Sequence, residues 1–142
     1  MLNVILILDR DSYSLGESIT AKVVLKNEGT SSQIVNGRLS LNSAVTPQPF
    51  REIAFAIFDP TGAEVGFALK VNRGFPEADD FKELRPGETI EDEYPIHKYY
   101  ILNKPGKYTI QSIYQNQSDP GDGREAWKGE LKSNVVSFTV EA

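Results

Sequence analysis

The sequence contains no cysteine and a single histidine, His97, among its 142 residues. Without cysteine there can be no disulfide, no zinc–thiolate site and no thiol nucleophile. One histidine cannot form the His-Glu-x-x-His pair of zinc peptidases, and no serine lies in a Gly-x-Ser-x-Gly turn that would present a nucleophile. We therefore expect that the protein is not an enzyme and that it uses no cofactor and no catalytic metal.

Basic clusters and long apolar runs are absent as well. The chain carries 15 Lys and Arg against 20 Asp and Glu, a net charge of −5, and the basic residues are scattered. Nucleic acid is bound through clustered cations, so we expect no nucleic-acid partner. No apolar run approaches the roughly 20 residues of a membrane-spanning helix, so we expect no membrane span.

Alternation of apolar and polar residues is the main positive signal. It is clear in residues 19–25 and 136–140, and a period of two predicts strands with one buried face. Turn sequences containing Pro and Gly, such as 59–62 and 105–106, separate the alternating segments. We predict one all-β domain over residues 1–142, an immunoglobulin-like antiparallel β-sandwich with Greek-key connections and about seven to nine strands; a closed barrel is the alternative.

Two local patterns give sharper expectations. A Lys104-Pro105-Gly106 turn delivers Tyr108 to the start of a strand, where sandwiches place a tyrosine whose hydroxyl bonds the backbone a few residues upstream. The first segment, residues 2–8, is apolar at positions that belong to both faces of a strand. We therefore expect that strand to be central in its sheet or covered by another chain.

Several segments resemble one known family. They are Tyr13 to Ile19 followed by Val23 to Asn27, then Lys70 to Pro76, Leu84 to Glu88, Tyr99-Tyr100 with Tyr108 to Ile110, and Ser133 to Val140. In order, from about residue 13 to the end, they are similar to the β-sandwich region that precedes the catalytic domain in deuterolysin-like zinc endopeptidases. The resemblance implies a non-catalytic module that accompanies secreted enzymes, and none of the family's zinc or catalytic residues has a counterpart here.

Acidic residues and His97 are the next candidates. The loop Asp119 to Gly123 has the oxygen-rich character of a calcium site, but it lacks the alternation of an EF-hand loop, and we favour a solvated acidic loop. For His97 we favour an exposed structural role, since no partner residue for catalysis accompanies it.

Aromatic residues outside the alternating pattern are the candidate partner-binding residues. We select Phe75, Tyr99, Tyr100 and Trp127, and the alternative is that Tyr99, Tyr100 and Trp127 close the open ends of the sandwich. Loops on rigid sandwiches carry function, so we predict a contact surface on loops 72–82 and 115–128.

These observations lead to three functional hypotheses. The first is a non-catalytic protein-interaction or enzyme-accessory module. The second is a freestanding proteinase inhibitor or protease-folding helper that uses the loop at 72–78, and the third is a carbohydrate-binding module with exposed aromatic rings. The partner, the compartment and the oligomeric state stay open at this point; a longer parent chain would favour a secreted or cell-envelope location.

Overall fold

The computed structural model of the chain describes residues 1–44, 46, 51–68 and 74–142. The prediction of an all-β protein is confirmed, because the described residues contain strands and two single 3-10 turns, Ala78–Asp80 and Ile96–Lys98. No helix in the described ranges is long and apolar enough to cross a membrane. The strands are β1 (Leu2–Leu8), β2 (Ser12–Ser14), β3 (Thr20–Asn27), β4 (Gln33–Asn36), β5 (Ile53–Phe58), β6 (Phe81–Leu84), β7 (Thr89–Pro95), β8 (Gly106–Asn116) and β9 (Gly129–Glu141).

The strands form two larger sheets and one small pair. One sheet has three antiparallel strands in the order β1-β3-β7, and the other has four strands in the order β2-β9-β8-β5, in which short β2 runs parallel to β9. Strands β4 and β6 form the antiparallel pair. In each sheet the first and last strands do not pair with each other, so the described strands do not close into a barrel.

The period-two pattern in the sequence places one face of each sheet in a shared core. Val23 and Leu25 of the three-stranded sheet belong to the same buried cluster as Ile57, Ile110 and Phe138 of the four-stranded sheet. Full burial of one aliphatic side chain of this kind stabilises a fold by about 1.5–3 kcal/mol. The core therefore fixes the register of both sheets, because a shift by one residue would expose it.

Two tyrosines fix chain corners on either side of Phe138. The Tyr108 hydroxyl donates to the Lys104 carbonyl oxygen at 2.9 Å and accepts from the Lys104 N–H at 3.1 Å, which confirms the predicted corner. Tyr13 repeats the arrangement: its hydroxyl donates to Asp9 Oδ1 at 2.6 Å and accepts from the backbone N–H of Arg10. The Tyr108 ring stacks on Phe138, and the Tyr13 ring meets it edge-on.

Strand β1 lies at an edge of its sheet, so of the two expected arrangements, central in the sheet or covered by another chain, the central one does not hold. Its inner face is in the core, whereas Ile7 on the outer face is exposed. The period-two pattern assigns residues to faces but does not say how many neighbours a strand has. Part of the open edge is covered from within the chain, because the Asn134 side chain of β9 hydrogen-bonds Leu6.

Candidate interaction surface

The two loops predicted as a contact surface lie together at one end of the domain. In the structure they comprise residues 74–80 and 117–128, which we call the loop pair; residues 72 and 73 lie outside the described residues. Arg124 joins them, because its Nη2 donates to the Ala78 carbonyl oxygen at 3.1 Å and its Nη1 to the Phe81 carbonyl oxygen at 3.4 Å. The predicted loops therefore form one surface rather than two.

Phe75 is the most exposed aromatic residue of the four candidates. Its side chain is 69% exposed, and the preceding Gly74 has a φ of 64°, a left-handed conformation that favours glycine. The Gly74 carbonyl oxygen accepts a hydrogen bond from Arg38 Nη1 at 3.1 Å. A few residues on, Glu77 N–H donates to Asp80 Oδ2 at 2.7 Å, which closes the 3-10 turn. The loop therefore presents Phe75 from a backbone held at both ends.

Arg38 is itself held by a buried carboxylate. Its Nε and Nη2 donate to Glu52 Oε1 and Oε2 at 2.9 and 2.8 Å, a bidentate pair in which Glu52 is 0% exposed. The backbone N–H and the hydroxyl of Ser40 also donate hydrogen bonds to Glu52 Oε1, at 2.9 and 2.8 Å. The hydrogen bonds from Arg38 to Glu52 raise the pKa of Arg38 above its ordinary value, so the guanidinium stays charged. The two bonds to Glu52 orient the Arg38 guanidinium so that its Nη1 faces the Gly74 carbonyl oxygen.

Trp127 lies at the base of the loop pair and is partly buried. The Trp127 ring stacks on Tyr114 with centroids 5.7 Å apart, and the Trp127 backbone N–H donates to the Ile34 carbonyl oxygen at 2.7 Å. The buried Asn116 donates to the Trp127 carbonyl oxygen at 2.9 Å. A Cβ on Gly129 would approach this ring to 3.3 Å. Trp127 therefore anchors the loop to the sheet.

Tyr99 and Tyr100 pack elsewhere. Tyr100 is 3% exposed and meets Phe55 and Phe67 edge-on, with its hydroxyl 3.3 Å from the Phe55 nitrogen. Tyr99 is half-buried and stacks on Phe67 with an interplanar angle of 9°. The structure thus brings Phe75 and Trp127 to one surface and uses the two tyrosines in packing around Phe67.

The loop pair carries most of the net negative charge of the protein. It contains six carboxylates and two cations and so has a net charge of −4, whereas the net charge of the whole chain is −5. The carboxylates are Glu77, Asp79, Asp80, Asp119, Asp122 and Glu125, and the cations are Arg124 and Lys128. The loop pair therefore has a net negative charge as a whole, and the cation Arg38 lies next to Phe75 through its bond to Gly74.

Asp119 and Asp122, like Asp80 in the first loop, are engaged within their own loop. Asp119 Oδ1 accepts from the Ala126 N–H at 3.0 Å and from Lys128 Nζ at 2.7 Å, and these bonds lower the pKa of Asp119. Asp122 pairs with Arg124 at 2.7 Å, and this contact lowers the pKa of Asp122. Within the described ranges, no three acidic or histidine side chains are grouped so as to hold a metal ion.

His97 has a structural contact in the second 3-10 turn. Its Nδ1 lies 3.0 Å from the Ile19 nitrogen and accepts the N–H hydrogen of that residue. The contact joins the residue before β3 to the 3-10 turn after β7. His97 also lines a groove of about 360 Å³ with the exposed Leu15 and Ile101, at the opposite end of β8 from the loop pair.

Sequence reasoning missed the buried Arg38–Glu52 pair and the groove near Leu15. The pair lies outside the alternating segments, and charged residues are almost never fully buried unless they are paired, so composition offers no signal for it. Leu15 occupies a turn and Ile101 follows a 3-10 turn. Single apolar residues in such positions are common on protein surfaces, so the sequence alone does not set them apart.

Comparison with known proteins gives no family. No protein-family model matches the chain, and no curated protein sequence matches it. Among solved structures, the sporulation control protein Spo0M from Bacillus subtilis is similar with a TM-score of 0.48 and 15% identity over 99% of this chain and 49% of Spo0M, so the chain spans about half the length of that protein. AvmM, which catalyses macrocyclization in alchivemycin A biosynthesis, has a TM-score of 0.45 and 13% identity over 99% of this chain and 89% of AvmM. At these scores neither likeness bears on what this chain does.

Proposed function

We propose that this chain is a non-catalytic protein-interaction module of enzyme-accessory type, an immunoglobulin-like β-sandwich that contacts its partner through the loop pair. The observation that carries the proposal is the presentation of Phe75. An aromatic residue that is 69% exposed lies on a backbone fixed by Arg38, in a loop pair that has a net negative charge. Aromatic anchors with a polar rim are the usual centre of protein–protein binding energy.

The hydrogen bonds that hold the backbone next to Phe75 are the second argument for binding. A loop that is ordered before it meets a partner loses less conformational entropy on association. Arg38 links Gly74 to Glu52 in the core, and Arg124 links Ala78 to the second loop. The likeness to the region preceding the catalytic domain of deuterolysin-like endopeptidases favours an accessory role over a freestanding one.

A proteinase inhibitor is the second candidate, and the same hydrogen bonds of Arg38 favour it. A loop that is rigid before binding loses less conformational entropy, and the loop that begins at Gly74 is held by Arg38, which pairs with the buried Glu52. The carbohydrate-binding hypothesis has less support, because Tyr100 is buried and the Tyr99 and Trp127 rings stack on neighbouring rings. A panel of proteases separates the inhibitor from the accessory module: inhibition that is lost in Phe75→Ala identifies the inhibitor.

Site-specific photocrosslinking tests the proposal. One variant of the protein carries a benzophenone amino acid in place of Phe75, and a control variant carries it in place of Phe58. Phe58 is a suitable control because it is an exposed phenylalanine (41%) at the end of β5, away from the loop pair. We expect a defined crosslinked protein from position 75 only, and a loss of affinity for that purified protein of about tenfold or more in Phe75→Ala but not in Phe58→Ala. Equal crosslinking from both positions, or none from position 75, contradicts the proposal. Trp127→Ala is less informative, because it also removes the stacking on Tyr114.

A further inference from the structure

The groove that His97 lines is separate from every contact proposed above, because it lies at the opposite end of β8 from the loop pair. Its volume of about 360 Å³ is in the range of small-molecule sites. Leu15 and Ile101 are exposed apolar parts of its wall, and Val140 of β9 lines it as well. The groove therefore offers an apolar surface that a short alkyl chain would cover.

His97 contributes a hydrogen-bond donor to this groove. Its Nδ1 accepts the Ile19 N–H hydrogen at 3.0 Å, and a neutral imidazole that accepts at Nδ1 carries its own hydrogen on Nε2. Within the part of the chain that the structure describes, His97 Nε2 has no hydrogen-bond partner. The contact with Ile19 thus fixes the tautomer of the ring and leaves an N–H group available to a ligand.

Lys98 adds a positive charge to the same groove. Its side chain is exposed, and no carboxylate of the described residues pairs with its ammonium group. Glu17 is the one carboxylate among the described lining residues, and it is already engaged: Oε2 lies 3.1 Å from Arg10 Nη2, and Oε1 accepts from the Ser14 N–H at 2.9 Å. The groove therefore has an unpaired cation although the chain is acidic, and charge complementarity selects an anionic ligand.

We propose that this groove binds a small amphipathic carboxylic acid, of the class of the medium-chain fatty acids. The carboxylate accepts hydrogen bonds from His97 Nε2 and Lys98 Nζ, and the alkyl chain covers Leu15 and Ile101. A carboxylate has two acceptor oxygens and no donor, so it satisfies both groups at once. The site does not include Phe75, so it stands or falls independently of the loop-pair proposal.

Octanoate is the probe, and its matched controls are butyrate, which has the same charge on a shorter chain, and octanol, which has the same chain without the charge. Each methylene group that leaves water raises affinity by up to about fourfold, so calorimetry should show octanoate binding the whole chain at least about tenfold more tightly than butyrate. Loss of the charge-assisted hydrogen bonds should weaken octanol by at least about tenfold. Absence of saturable octanoate binding, or equal binding of octanoate and either control, overturns the proposal.

NMR spectroscopy of His97 locates the carboxylate. The chain has a single histidine, so its ring signals need no assignment among several residues. Proton–nitrogen correlation spectra should show the hydrogen on Nε2 in the free protein, and octanoate should shift the His97 ring signals together with the amide signals of Leu15 and Ile101. Octanoate binding that leaves the His97 ring signals unchanged overturns the proposal, and so does a ring protonated on Nδ1 alone.

Two matched pairs of variants complete the test. Lys98→Met should weaken octanoate binding at least about fivefold, whereas Lys132→Met, at an exposed lysine of β9 outside the groove, changes the net charge equally and should leave binding unchanged. Ile101→Ser should also weaken binding, and Val135→Ser should not, although Ile101 and Val135 are both 61% exposed. If the control variants lose octanoate to the same extent, binding follows net charge or general apolar surface and the site is rejected. All four side chains are exposed, so the fold is retained.

Discussion

Asn134 hydrogen-bonds both main-chain groups of Leu6 across the gap between the two sheets. Its Oδ1 accepts from the Leu6 N–H at 2.9 Å, and its Nδ2 donates to the Leu6 carbonyl oxygen at 3.1 Å. A carboxamide offers the same donor and acceptor as a peptide group, so the side chain takes the place of a neighbouring strand residue. The pairing of β8 with β9 shifts register at this point, and such a bulge redirects a side chain.

Replacement of Asn134 by alanine should weaken the fold and open the edge of β1. Two hydrogen bonds of about 0.5–1.5 kcal/mol each are lost, so we expect the free energy of unfolding to fall by about 1–2 kcal/mol, measured by urea denaturation. The freed edge should also increase self-association in sedimentation experiments. Asn3→Ala is the control, since Asn3 is an exposed asparagine of the same strand whose side chain bonds only Glu28 among the contacts described. Equal unfolding midpoints for the two variants contradict the assignment.

Ser133 and Ser112 lie across the same bulge and should respond differently to alanine. Ser133 Oγ accepts from the buried Ser112 N–H at 2.9 Å and donates to the Asn134 carbonyl oxygen at 2.8 Å. Ser133→Ala leaves that N–H unsatisfied and should cost about 1–3 kcal/mol. The Ser112 hydroxyl is itself buried and finds no hydrogen-bond partner among the described residues, so Ser112→Ala should change stability by less than about 0.5 kcal/mol or increase it. A larger loss in Ser112→Ala than in Ser133→Ala refutes this assignment.

Whether a contact can be predicted from the sequence depends on how far apart its two residues lie along the chain. The Tyr108 corner depends on residues four apart, so a local pattern predicts it. The bond between Asn134 and Leu6 joins residues 128 apart, and neither residue has a distinguishing neighbour. Alternation correctly predicted an all-β chain and strands over residues 19–25 and 136–140, but the position of β1 at an edge depends on long-range pairing.

The candidate aromatics illustrate the same limit. Phe75 follows a glycine and precedes a proline, and its exposure agrees with a loop position. Tyr100 and Trp127 have equally polar surroundings in the sequence, but their rings are covered by Phe55, Phe67 and Tyr114, which come from distant segments. Local sequence therefore identified loop aromatics, whereas their burial is decided by which strands meet.

The buried pair of Arg38 and Glu52 should be asymmetric to mutation. Arg38→Met leaves a fully buried carboxylate without its cation and should cost about 3–5 kcal/mol. Glu52→Gln retains an acceptor for Ser40 and leaves Arg38 bonded to Gly74, so the loss should be smaller. Urea denaturation compares the two, and amide exchange should accelerate around Gly74 only in Arg38→Met. A greater loss in Glu52→Gln contradicts the assigned roles.

Stability should fall at alkaline pH because of buried tyrosines. Burial raises the pKa of Tyr100 to about 12, and burial together with the bond to Asp9 raises the pKa of Tyr13 to about 12. A phenol with an unfolded pKa near 10 contributes this stability in full below about pH 10 and loses it as the pH rises toward 12. For Tyr100 the difference corresponds to about 2–3 kcal/mol.

Ultraviolet titration of the phenolates together with urea denaturation at each pH measures this effect. Tyr100→Phe is the matched variant, because among the described residues the hydroxyl makes only long contacts, 3.3 Å to the Phe55 nitrogen and 3.4 Å to the Phe55 carbonyl oxygen. The variant should lose less stability than the wild type between about pH 10 and 12. Identical alkaline profiles would show that Tyr100 titrates normally in the folded protein.

The two tyrosine corners should contribute independently although both rings contact Phe138. Tyr108→Phe and Tyr13→Phe remove the hydroxyl bonds and keep the rings, so each should cost about 1–2 kcal/mol. The hydroxyls bond different chain segments, and the double variant should therefore equal the sum within about 0.5 kcal/mol. Phe138→Ala removes the shared packing and should cost about 3–5 kcal/mol. Urea denaturation of the four variants decides, and strong coupling between the two hydroxyl deletions would show that the rings move when a corner is released.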